Sequence, residues 1–514
     1  MVNDKVYKEL EQLLGAENVS REPAVLDGYS WQTHINGTPD IWLPRAEAVV
    51  LPETTEEVQE IVRLCNRNAL KYKALSTGWG GFAAPGKEGV VLLDLRRMNR
   101  IVEIDEENMI AVVEPYVIAG VLQAESMKRG LNTHIIGAGP SHSPLASATS
   151  LLGTGFDGIY MSTSFRNLLG VEWVSPSGEV IRLGSLGSDS GWFSGDGPGP
   201  SLRGILRGYL GAAGGFGVFT KVALKLFNWP GDRQPEIKGT VLDLETKIPK
   251  NFGNYICLFP DQQKYADANY KVGEAEIGYI HLRIGMPLTT ALVLPRLIRK
   301  FSGKKGFERI FRTIRHQFYI MLAGSSQNEF EYQRKVMEAI VADQGGICLD
   351  LSMFPPLENL FWFNLVRATI SPLVFRPTGS YMVHYGVDES VDSTVKVDDA
   401  VRPLGDKWAA QGTIIDQMGD DIWSPSYENV NRTHFETIRL FDPRTQQKEM
   451  LAQNVEFVMK GLEHHMNPGM AGIDPEVRKI FSPLAGNYNE YQKKFLAALD
   501  KNGTSDTTFY TDEA

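Results

Sequence analysis

The chain has 514 residues, 43% of them hydrophobic and 22% charged, with a formal net charge of -10 and three cysteines. That length exceeds one ordinary core, so two or three domains are expected. The acidic balance argues against a nucleic-acid binder, and Cys65, Cys257 and Cys348 form no CxxC pair, which argues against a disulfide framework or a thiolate zinc site.

The opening residues "MVNDKVYKELEQLLG" read as a charged amphipathic helix. No basic segment leads into an apolar one, so no signal peptide is expected and the chain is read as cytoplasmic. "AEAVVLP" predicts a short strand. Thr54 with Glu57 fits a capping box, and Val58, Ile61, Val62 and Cys65 follow at helical spacing. "KYKALS" gives a second strand, which runs into the loop "STGWGGFAAPG". "GVVLLDL" is the next strand, and "RIVEIDEENMIAVVEPYV" predicts two strands about the turn "DEEN". "IAGVLQAESMKRG" supplies a helix with a glycine where a C-cap belongs. "LLGVEWV" and "GEVIRLG" form a hairpin about "SPSG".

A third glycine cluster closes on the strand "VFTKVALKLF", and Pro230 with Gly231 marks a boundary. Beyond it helices mix with strands such as "YIHLRI" and "GSYMVHYGV". The basic stretch "KFSGKKGFERIFRTIRHQFYIML" reads as a solvated helix face in preference to a membrane-surface helix. The last part carries "NRTHFETIRLF", a helical run, and "HHMNPGMAGID".

Glycines permit positive φ and close approach to the main chain, and bare N–H groups in such loops form nests for anions. Three glycine-rich loops, each abutting a strand, suggest a long, flat, anionic ligand. A dinucleotide fold of the Rossmann type would follow its glycines with a helix, whereas "GWGGFAAPG" leads into a strand. No GxxxxGK[ST], GxSxG or HExxH occurs, and the adjacent His464 and His465 are poorly spaced for a shared metal, so no metal is expected.

From about Pro44 to Phe227 the chain resembles the FAD-binding domain of the vanillyl-alcohol oxidase and para-cresol methylhydroxylase superfamily. The shared pieces are "LPRAEAVVLPETTEEVQEIVRLCNR", "STGWGGFAAPG", "VVLLDLRRMNRIVEID", "VVEPYV", "LLGVEWVSPSGEV" and "FGVFTKVALKL", in the same order. The resemblance implies an α+β fold: a two-subdomain PCMH-type FAD-binding domain over 1–232, an α/β cap domain with an antiparallel sheet over 233–430, and a return to the FAD-binding domain over 431–514. It implies FAD, with its pyrophosphate against Ser76, Thr77, Gly78, Trp79, Gly80, Gly81 and Phe82. That loop lacks the histidine by which some relatives attach FAD, so noncovalent binding is expected, with a covalent link to His384 or Tyr385 as the alternative. Its ring system would lie along Gly137–Gly155, with Gly139, Pro140, Ser141, Ser143, Ala148, Gly153 and Gly155. The adenine end would be gripped by Gly215, Gly217 and Val218.

The departures matter. Relatives carry "YRTH" where this chain has "NRTH" at Asn431–His434, so Arg432 is kept and a phenolate-holding tyrosine is lost. Trp79 replaces the tyrosine of a "GYGG" loop, and "GAGPSHSPLAS" holds no carboxylate near the flavin. Hydride transfer to a flavin needs an anchored substrate and usually a base. His142, in the loop that would pass the flavin, is the first candidate base; a hydrogen-bonded structural histidine is the alternative. Tyr381 and His384 on a cap strand, and Arg376 before it as a carboxylate fork, are further candidates. The run "ENLFWFNLV" would line an apolar pocket or pack the core.

The implied function is FAD-dependent removal of hydride from an alcohol, benzylic or hydroxy-acid carbon of an aromatic or hydrophobic substrate. Alternatives are a D-2-hydroxy-acid dehydrogenase, an ether-lipid synthase-like enzyme without net redox, and a non-catalytic electron-transfer subunit. The electron acceptor is left open between oxygen and a cytochrome, quinone or electron-transfer flavoprotein, and the assembly is open as well, related enzymes often forming homodimers.

Overall fold

The computed structural model describes residues 2–30, 44–78, 84–150, 153–184, 201–206, 208, 211–212, 215–240, 244–285, 314–369, 381–383, 387–414, 420, 422–441, 446–465, 478–480, 482–509 and 511. The fold is mixed α+β and is built on three principal sheets. The first joins β1 (Val19–Ser20), β2 (Ala48–Val50), β3 (Lys71–Leu75) and β4 (Val90–Asp94) in the order β1-β2-β4-β3. β2, β4 and β3 are parallel, as the intervening helix Thr55–Arg67 requires.

That helix starts where the sequence predicts. Thr54 accepts from Glu57 N at 3.1 Å, while the Glu57 carboxylate reaches Glu53 N at 2.6 Å, one residue short of a closed capping box. Its face of Val58, Ile61, Val62 and Cys65 is fully buried, packed with Val6, Leu10 and Leu14 of the N-terminal helix Asp4–Leu14.

The second sheet contains β5 (Ile101–Asp105), β6 (Ile110–Val113), β8 (Leu168–Val174), β9 (Val180–Leu183) and β10 (Val218–Lys225), ordered β5-β6-β10-β8-β9 and antiparallel throughout. Between them in the chain, β7 (Leu131–Asn132) pairs with β11 (Phe227–Asn228). Val174 and Val218 reach into the core of the first sheet, so one apolar cluster fastens the two subdomains together. Residues of the C-terminal segment rejoin this unit. Tyr72 N donates to Thr504 O and Asp506 N to Tyr72 O, which sets Ser505 beside β3 as a parallel bridge.

The cap sheet is antiparallel: β12 (Phe252–Leu258), β13 (Ile280–Ile284), β14 (Gln317–Ala323), β15 (Ile347–Asp350), β16 (Tyr381–Val383), β17 (Val387–Glu389), β18 (Ile422–Tyr427) and β19 (Arg432–Leu440). Its order is β15-β12-β14-β13-β18-β19-β16, with β17 also on β19. The expected boundary at 430/431 falls in the turn between β18 and β19, inside this sheet. Part of the basic stretch read as a solvated helix is buried strand β14, with Phe318 through Leu322 in the core; residues 300–313 of it lie outside the described residues.

Strand alternation gives the cap sheet two unlike faces. One carries Cys257, Phe318, Ile320 and Leu322 against the helices Gln262–Glu274 and Gln327–Asp343. The other carries Leu282, Tyr319, Met321 and Trp423 against Ile135, Phe156 and Met161 of the first unit and the helix Pro355–Arg367. That helix holds the "LFWF" aromatics, and Phe361, Trp362 and Phe363 are core residues.

Candidate functional site

Two glycine-containing loops of the first unit meet at a hydrogen bond. Thr77 Oγ1, just after β3, accepts from Ser143 N at 3.1 Å. Ser143 also caps the helix Pro144–Thr149 by accepting from Ala146 N, and donates to Pro115 O at 2.5 Å. Helix Ala119–Met127 anchors the second loop from behind: Ala119 N donates to His142 O at 3.0 Å and Gly120 N to Pro140 O at 2.9 Å. Gly78 has φ +70°, and among the described residues a Cβ there would meet Leu75 Cδ1 alone, at 3.5 Å. Ser76 is half-buried beside it, Ser141 is exposed and Ala148 is buried. Trp79, Gly80, Gly81 and Phe82 lie outside the described residues.

The other glycines have a different explanation. A Cβ on Gly153 would lie 2.3 Å from Ser164 Cβ, and one on Gly155 2.2 Å from Ile135 O. On Gly215 it would lie 1.8 Å from Asp506 O, and on Gly217 2.4 Å from both Trp173 Nε1 and Val174 O. At these positions the protein's own chain needs the space. Gly139, at φ +116°, turns the loop so that its carbonyl takes His142 Nδ1 at 2.6 Å. Val218 is buried as the first residue of β10.

His142 is itself buried, and burial pulls its pKa down to about 3. The ring is therefore neutral, with Nδ1–H donating to Gly139 O. Nε2 is left as a buried acceptor with no partner among the described residues. An orphaned acceptor beside two joined loops fits an extended ligand that brings its own donor.

A second buried histidine escaped the sequence reading. His134 Nδ1 meets the Asp157 carboxylate, and Nε2 meets Gly153 O at 2.7 Å. Burial opposes charge on this ring, but Asp157 and the Gly153 carbonyl outweigh it and raise the pKa. An acceptor at each nitrogen favours the protonated ring, which clamps the segment before Gly137 to the turn after Gly155. Nothing local signals this pair, because the partners are 23 residues apart.

Opposite these loops stands the inner face of the cap sheet. Alternation along β19 sets Arg432, His434 and Glu436 on one face, with Trp423 across from Glu436 on β18. His434 Nε2 and Glu436 Oε2 are 3.0 Å apart. Burial raises the Glu436 pKa, with His434 pulling the other way. The Trp423 ring stands edge-on to Phe156 at 5.8 Å and to His434 at 5.2 Å. A Cβ on Gly137 would lie 2.5 Å from that indole, so this face touches the loop segment directly.

Arg432 is engaged elsewhere on the same face. Its Nη2 donates to Thr163 Oγ1 at 3.2 Å, its Nε is 3.9 Å from Glu428, and it lies over the rings of Tyr427 and Phe165. Tyr381 begins β16 opposite Leu440. Its side chain, and all of Arg376 and His384, lie outside the described residues.

Residues 46–184 match the family model described as "FAD binding domain", which covers β2 to β9 and both joined loops. The chain is thus a flavin-binding protein whose cofactor is FAD. Over 380 residues it is 24% identical to the Danio rerio protein named "Probable D-lactate dehydrogenase, mitochondrial", covering 73% of this chain and 67% of that one. Over 241 residues it is 30% identical to the 4-cresol dehydrogenase [hydroxylating] flavoprotein subunit of Pseudomonas putida, covering 44% and 43%. The solved structure of p-cresol methylhydroxylase with substrate bound superposes with a TM-score of 0.75 at 17% identity, over 99% of this chain and 97% of that one. The chain thus carries an FAD-binding domain over residues 46–184 and shares the fold of p-cresol methylhydroxylase along its length.

Proposed function

We propose that this chain is an FAD-dependent oxidoreductase that removes hydride from a CH–OH or benzylic carbon of an aromatic or hydrophobic substrate. Bound FAD supplies the two-electron acceptor. The Ser76–Gly78 and Gly139–Ser143 loops hold the cofactor, with the His142 Nε2 lone pair taking a donor from it.

One observation carries the reading: the buried His434–Glu436 pair on the cap face that touches Gly137 through Trp423. A carboxylate whose pKa is raised by burial is a stronger base near neutral pH than a solvated one. Glu436 takes the substrate hydroxyl proton, and His434 holds the carboxylate in place. His142, with its pKa drawn down to about 3, is a poor proton acceptor at neutral pH and serves as a hydrogen-bond acceptor. Trp423 and Phe156 give the site an aromatic wall, which supports an aromatic substrate over a small hydroxy acid. Arg432, already held by Thr163 and near Glu428, does not offer a free fork for a carboxylate. The likeness to a protein named as a flavoprotein subunit supports an external electron acceptor, such as a cytochrome, quinone or electron-transfer flavoprotein.

The test is anaerobic mixing of the FAD-loaded protein with benzylic alcohols, 4-alkylphenols and D-2-hydroxy acids. Bleaching of the flavin band by an aromatic member, slowed by about 10²–10⁴-fold in Glu436→Gln, is the expected result. Bleaching by D-2-hydroxy acids alone would overturn the substrate class, and no bleaching by any of them would overturn the reading.

A further inference from the structure

A cleft of 720 Å³ opens against the Tyr160–Asn167 segment, outside the loops described above. Its lining includes Tyr160, Phe165, Arg166, Lys225, Phe227 and Glu428. The volume lies in the range of small-molecule sites. Its aromatic part is accessible: Tyr160 is 43% exposed although its ring packs 5.6 Å from Phe227.

The charge in the cleft runs against that of the protein. Glu428 is its only carboxylate among the described lining residues, and it already accepts from Ser162 Oγ at 2.7 Å and pairs with Arg166 at 3.3 Å. The Arg432 guanidinium approaches the same carboxylate at 3.9 Å. Lys225, at the end of β10, has only the Phe227 ring beneath it, with Nζ 4.8 Å from the centroid and no carboxylate within 4 Å among the described residues. Arg166 and Lys225 together leave the recess positive in a chain of net charge -10, which focuses an anion there.

We propose that this cleft is a second ligand site, which takes a flat aromatic anion. The ring lies against Tyr160 and Phe227, and the anionic group points to Lys225 and Arg166. The site is independent of the chemistry proposed above. It shares a wall with the flavin loops, because Ser164 N donates to Gly153 O at 2.9 Å. An occupant would thus press on the segment that His134 and Asp157 clamp.

Photolabelling of the FAD-loaded protein with 4-benzoylbenzoate, followed by peptide mapping, tests this. Label is expected within residues 158–167 or 225–228, protected by 2-naphthoate but not by the neutral 2-naphthalenemethanol. In the double variant Arg166→Gln with Lys225→Gln, that label should fall by roughly tenfold or more. Both side chains are solvent-facing, and an unchanged flavin spectrum would verify folding; Tyr160→Ala, with charges intact, gives a second reading of the same loss. Label confined to other segments, label unchanged in the double variant, or equal protection by the neutral compound would each overturn the proposal.

Discussion

Gly137 and Trp423 meet across the junction of the flavin-binding unit and the cap, so closely that a single methyl on the glycine would sit 2.5 Å from the indole. The contact fixes how near the cap face comes to the Gly137–Ser143 loop. Gly137→Ala is expected to destabilise the protein by about 1–3 kcal/mol, as overpacking does. Trp423→Phe should relieve much of that cost when combined with it. Thermal unfolding of the two single variants and the double would show this as a coupling, and strict additivity would refute it.

Glu436 gives a pH dependence with a definite sign. Its pKa is raised in the folded protein, so the folded state holds its proton more tightly than the unfolded chain does. The associated stability is fully present below the unfolded carboxyl value of about 4.3 and is lost as pH rises through the folded value. Glu436→Gln should therefore flatten this part of the stability curve. Tm measured between pH 4 and pH 8 should fall more steeply in the wild type than in the variant.

His134 behaves differently because it gains a counter-ion. Its raised pKa means stability that is full below the unfolded histidine value of about 6.5 and lost as pH rises through the folded one. Asp157→Asn leaves a buried ring without its charge partner and should cost roughly 3–5 kcal/mol below pH 6.5. The deficit against the wild type should narrow as pH rises. A constant deficit from pH 5 to pH 9 would mean that the pair acts by shape and not by charge.

His142 should titrate in the opposite sense. Its pKa is lowered to about 3, so the neutral ring favours folding above the unfolded value and the benefit is lost as pH falls towards 3. Replacement by Gln should make the protein less sensitive to acid between about pH 6 and pH 3.5, the range set by the unfolded histidine and the folded one. If Nε2 takes a donor from FAD, the same variant should also weaken FAD retention, read by fluorescence of flavin released on dilution. Unaltered retention would separate the histidine from the cofactor.

Local rules made the flavin-binding unit readable. Thr54 and Glu57 marked a helix start, the turn at "DEEN" marked β5 and β6, and the strand after each glycine cluster was found where apolar runs predicted it. Period-two and period-3.6 patterns need no knowledge of distant residues. The cap face was less legible. A histidine and a glutamate two apart on a strand are common, and only the Trp423 ring, packed against Gly137, Phe156 and His434, turns His434 and Glu436 into a pair of interest. Gly215 was noticed for its cluster, but the close neighbour that demands a glycine is the Asp506 carbonyl, 291 positions further along. Strand β14 follows a basic run with the look of a helix face, while "FYIML" alone has the apolar run of a core strand.

The seat of Ser505 beside Tyr72 sets an order on biosynthesis. The two side chains, 3.3 Å apart, are separated by 433 positions, so on a ribosome the outer edge of β3 waits unpaired while the whole cap is made. During that interval the first sheet presents open N–H and C=O groups to any neighbouring chain. Nascent copies on one messenger are then most exposed to pairing with each other, until the last segment arrives and closes the edge.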